Sequence, residues 1–134
     1  MRKLTAVRLG LIALLAIGTG CSREASVKQV SFKNDIYPIF QERCMTCHAL
    51  GAPGCVASGF SLATYDTLMQ GTKFGPMVIP GDSAASNILT LVKHQADPSI
   101  AMPRSLTAGK PSEWLQPQQI ELIETWINQG AKNN

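Results

Sequence analysis

The sequence lacks several features that would announce a familiar chemistry. It has no internal repeat, no glycine-rich nucleotide-binding motif, and no second Cys-x-x-Cys or His-x-x-x-His to complete a zinc site. Histidine is scarce, with His48 and His94 the only two. Charge of one sign is also missing where it would matter. Of 12 lysines and arginines, Arg2, Lys3 and Arg8 lie in the N-terminal segment, and the other nine face nine acidic side chains. A neutral domain gives no electrostatic case for nucleic acid. The apolar run from Leu9 to Ile17 is too short for a comfortable membrane span. At 134 residues the chain has room for one small domain plus whatever is processed away.

What is present centres on Arg43-Cys44-Met45-Thr46-Cys47-His48. On a helical turn, Cys44 and Cys47 share a face and can reach the two vinyl groups of one porphyrin as thioethers. His48 then lies under the iron as proximal ligand, so the pattern reads as a c-type haem attachment site. Other uses of the thiols fare worse. A thioredoxin-like pair wants a preceding strand in a βαβ unit, and none surrounds Cys44. Zinc on Cys44, Cys47, Cys55 and a histidine lacks the usual second pair. A Cys44–Cys47 disulfide would close a short, strained loop and stabilise little.

Residues 1–20 read as a secretory signal: a basic start, the apolar run, then Gly18-Thr19-Gly20 before Cys21. The junction resembles the lipobox of bacterial lipoproteins, in which that cysteine is acylated, although Gly18 stands where the family usually has an aliphatic residue. The resemblance implies lipidation at Cys21, with plain secretion as the alternative. Ser22 after it favours the outer membrane by similarity to enterobacterial sorting. The expected location is thus the bacterial periplasmic space, held to a membrane by a lipid anchor without a spanning helix. Residues 21–30 form a polar tether.

The rest reads as helices. A first helix is expected from Ser31 to Thr46, burying Ile36, Ile39, Phe40 and Cys44 on one face. Residues 49–61 carry three glycines and a proline and read as a loop, with Cys55 as a small buried residue. A short helix follows, with Thr64 as cap and Gly71 as stop. Residues 75–82 form an extended connector. Asp82 or Ser83 then caps a helix to about Lys93 that buries Ile88, Leu89 and Val92. A loop with Met102-Pro103 precedes the clearest helix, from Pro117 to Gly130, with Ile120, Ile123, Trp126 and Ile127 on one face. A distal haem ligand must come from Met77, Met102 or His94, because Met45 lies inside the attachment turn and Met69 reads as a core residue. Pro103 restricts the backbone of Met102, which helps its side chain hold a direction.

Phe32-x-x-Asp35-Ile36-x-Pro38-Ile39-Phe40, Cys44-x-x-Cys47-His48, Val78-Ile79-Pro80-Gly81-Asp82-x-x-x-Ser86-x-x-Leu89, Met102-Pro103 and Trp126-Ile127-x-x-Gly130-Ala131 together resemble a single-haem cytochrome c domain of the planctomycete type. The resemblance covers most of residues 31–132. It implies an all-α class I cytochrome c fold, with N- and C-terminal helices crossing beside one covalent haem c. It also implies Cys44, Cys47 and His48 as the attachment set and Met102 as the distal ligand. The function it implies is single-electron transfer between redox partner proteins, not catalysis. A haem enzyme or small-ligand sensor with an open axial site is the alternative, and a docking module of a larger respiratory complex a third.

Overall fold

The computed structural model describes residues 28–104 and 114–134. The expected signal segment, Cys21 and most of the expected tether lie outside the described residues. Among these residues the chain is helical, with isolated bridges at Thr72–Gly75 and Ile79–Asp82 and no strand. No helix among them is long and apolar enough to cross a membrane.

The expected first helix is broken into three pieces. A π-helical turn, Phe32–Ile36, leads into α1, Tyr37–Arg43; α2 is Met45–His48. The widened turn comes just before Pro38, whose ring has no N–H to give the Asn34 carbonyl and would crowd it. Ser31 caps the turn: its hydroxyl accepts from Asn34 N–H at 3.2 Å, and Asp35 Oδ2 accepts from Ser31 N–H at 2.8 Å. Ile36, Ile39 and Phe40 are buried as their spacing requires.

The glycine-rich stretch after the cysteines is not wholly a loop. It holds α3, Pro53–Ser58, with Pro53 at its start and Gly59 in the left-handed region at φ 76° just past its end. Helix α4, Tyr65–Gln70, has the expected Thr64 cap and Gly71 stop. Helix α5, Asn87–Val92, begins later than Asp82 or Ser83. Those residues instead form a turn in which Asp82 Oδ1 accepts from Ala85 N–H at 2.9 Å. Ser86, fully buried, pins that turn: its hydroxyl accepts from Ile79 N–H at 2.8 Å and donates to the Asp82 carbonyl at 2.7 Å. The turn also docks on α6, Pro117–Asn128, through Gly81 N–H to the Ile127 carbonyl at 2.8 Å.

Helix α6 buries Ile123, Trp126 and Ile127 completely. Trp126 packs on Phe32 with ring centroids 5.5 Å apart, and its indole N–H donates to the Lys132 carbonyl at 2.9 Å. Phe32 also meets Tyr65 edge-on at 5.2 Å. The N-terminal turn and α6 are therefore joined by aromatic burial. Hydrogen bonds reinforce the junction. The Asn134 backbone oxygen accepts from Lys33 N–H at 3.0 Å, and Asn134 Oδ1 accepts from Phe32 N–H at 2.9 Å. Val30 N–H donates to Gln129 Oε1 at 2.7 Å. Helix α5 reaches α6 through Lys93 and Glu124, 2.8 Å apart.

Candidate functional site

Cys44 sits at the joint between α1 and α2, at φ −127° and ψ −29°. Its N–H completes α1 by donating to the Phe40 carbonyl at 2.9 Å. Its carbonyl then accepts from both Cys47 N–H at 3.1 Å and His48 N–H at 3.0 Å. One oxygen thus gathers the three expected attachment residues into a single turn. Cys44, Cys47 and Cys55 are all unbonded and half-buried, so Cys55 is more exposed than its expected core role. Burial pushes the Cys44 thiol up to about 12, with Cys47 adding to the rise and the Arg43 guanidinium opposing it. This thiol is therefore uncharged at neutral pH.

His48 is buried. Its Nδ1 lies 3.0 Å from the Phe60 carbonyl, and its ring meets the Phe60 ring edge-on at 5.5 Å. A carbonyl only accepts, so Nδ1 carries the proton of the neutral ring and the Nε2 lone pair is left free. The His48 carbonyl in turn accepts from Leu62 N–H at 2.9 Å, fixing the loop that presents Phe60. Gly54 lets α3 lie against the imidazole. A Cβ there would stand 2.7 Å from the Cys47 carbonyl oxygen and 3.2 Å from His48 Nε2. Neither Phe60 nor Gly54 was identifiable from the sequence as part of the site.

The rival distal ligands separate by packing. Met77 lies within the core, and Met45 and Met69 pack against it. Met102 is half-buried, outside that cluster, and its N–H donates to the Leu91 carbonyl at the end of α5, at 3.1 Å. His94 is drawn to the same carbonyl, its N–H also 3.1 Å away. Its ring stacks on Trp114 at 3.8 Å, and Nε2 is buried without a hydrogen-bond partner among the described residues. It is therefore not the surface residue that a helix C-terminus would suggest.

Among the described residues, no group of three or more His, Cys, Asp or Glu converges as a metal cage, which leaves the zinc alternative without a site there. A surface cleft of about 260 Å³ between the N-terminal turn and α4 contains none of the candidate residues. The attachment turn fits haem c on its own chemistry: two unbonded thiols, and next to them a buried imidazole whose outer nitrogen is fixed and whose inner lone pair is free.

A family model described as Planctomycete cytochrome C matches residues 44–105, beginning on the first cysteine of the turn. No curated protein and no solved structure matches the chain. The family implies covalent haem c. With the free thiols and the fixed imidazole inside the matched segment, the match supports a planctomycete-type c-type cytochrome domain over residues 44–105.

Proposed function

We propose that this protein is an exported carrier of single electrons, with one haem c on Cys44 and Cys47 and with His48 and Met102 as axial ligands. The observation that carries the reading is the His48 imidazole, tied through Nδ1 to Phe60 on the same turn as two free thiols. Haem bound there supplies a ferric–ferrous couple. The residues do the rest. The Phe60 carbonyl holds one tautomer and orients the ring, so that Nε2 is the nitrogen left to bind. The soft Met102 thioether favours the ferrous state and raises the potential. Phe40 and Leu62, both buried and joined to the turn through the Cys44 N–H and the His48 carbonyl, give it apolar neighbours that keep water away. Packing of the N-terminal turn on α6 through Phe32 and Trp126 supports the class I arrangement over residues 31–132.

An optical redox titration tests this. The expected result is a reversible one-electron transition of low-spin haem, with the weak near-infrared band of methionine-bound ferric iron. Met102→Ala should lose that band and shift the potential down, while Met77→Ala keeps both. High-spin, five-coordinate haem in the wild type would instead favour an enzyme or sensor.

On the same reading the domain lies in the bacterial periplasm on a lipid anchor at Cys21, is sorted to the outer membrane because Ser22 follows the acylated residue, and faces redox partner proteins. Fatty-acid labelling should mark the wild type and not Cys21→Ser, which should move to the soluble fraction. An unlabelled wild type with a different mature N-terminus would make the protein a soluble cytochrome.

A further inference from the structure

We propose that His94 is a second distal donor, whose Nε2 takes the iron when the Met102 thioether is withdrawn; this rests on the reading of Met102 as resident ligand. The argument begins with the backbone. Helix α5 ends in a Schellman turn, in which Gln95 N–H donates to the Thr90 carbonyl at 3.0 Å and His94 N–H to the Leu91 carbonyl at 3.1 Å. The residue at the left-handed position of that turn is usually glycine, which takes it without strain. Here it is His94, at φ 54°. Glycine would close the same turn, so the backbone gives no reason for a histidine.

The side chain gives one. Stacking on Trp114 at 3.8 Å holds the ring in one plane, and Nε2 is buried with no partner among the described residues. A buried ring nitrogen without a partner is destabilising, and such atoms are few in folded proteins. A ligand would satisfy it. The position suits that role, because Met102 N–H donates to the same Leu91 carbonyl as His94 N–H, so both side chains start from one point on the fold. The donors differ in preference. Imidazole suits ferric iron better than a thioether does, and the thioether favours ferrous iron. Two coordination states of different potential follow, with the imidazole state favoured on oxidation.

The test uses ferric holoprotein, read by electron paramagnetic resonance and the near-infrared band. Met102→Ala should lose the methionine band yet remain low-spin, with the signature of two imidazoles. Adding His94→Phe, which keeps a ring against Trp114 but has no nitrogen, should convert it to high-spin haem. His94→Phe alone should retain the methionine band. Met102→Leu, which keeps the side-chain volume, repeats the comparison if the alanine variant does not accumulate. High-spin haem in Met102→Ala, or low-spin haem persisting in the double variant, would overturn the role of His94 alone. Retention of the methionine band in Met102→Ala would remove the Met102 reading and this inference with it.

Discussion

Serine at both Cys44 and Cys47 is expected to leave a protein that gives up all its haem on denaturation. The thioether links form when each thiol S–H adds across one vinyl group, sulfur to one carbon and hydrogen to the other. A serine hydroxyl is too weak a nucleophile to do the same. The wild type should keep its haem through denaturing electrophoresis and carry the mass of one haem. Each single variant should retain it weakly or not at all. His48 stays in place in all of these variants, so loss of covalent retention reports on the thiols and not on the axial ligand. Covalent haem in the double variant would show that the attachment turn has been misassigned.

The second large effect is on the fold. Trp126 is fully buried, stacks near Phe32 at 5.5 Å and donates to the Lys132 carbonyl. Truncating such a side chain to alanine costs about 3–5 kcal/mol. A small domain has only about 5–15 kcal/mol in total. With a urea dependence of about 1–3 kcal/mol per molar, the unfolding midpoint of Trp126→Ala should fall by at least about 1 M. Trp126→Phe keeps most of the apolar contact and strands only the Lys132 carbonyl, so its midpoint should lie between the two. A midpoint for Trp126→Ala close to the wild type would mean that the junction of α6 with the N-terminal turn contributes little to stability.

Local signals in the sequence were reliable where one residue settles the geometry. Pro117 and Gly130 bracket α6, Thr64 and Gly71 bracket α4, and the spacing of Ile88, Leu89 and Val92 marks a buried face. The turn that joins Cys44, Cys47 and His48 was legible for the same reason, since the three lie within five consecutive residues. Helix α3 was missed because Pro53–Ser58 has no apolar period, although proline at its start and Gly59 past its end are the signals that could have found it. The widened turn before Pro38 and the late start of α5 depend on how the backbone around Pro38 and the Ser86 hydroxyl are bonded, which spacing does not reveal. Burial of Met77, the Phe60 carbonyl behind His48 and the Trp114 ring over His94 are products of tertiary contact. No window of sequence contains both partners of such a contact.

The bonds from Asn134 to the first helical turn bear on how the chain acquires its structure during synthesis. Phe32 N–H and its acceptor on Asn134 are 102 residues apart in sequence. Bringing such distant segments together costs loop entropy before any contact is gained. Synthesis runs from the N-terminus, so Phe32 and Lys33 are made long before their acceptors exist. The N-terminal turn must wait, with its amides bonded to water, until Asn134 has been made. Full bonding of the first helical turn therefore depends on a residue made 102 positions after Phe32.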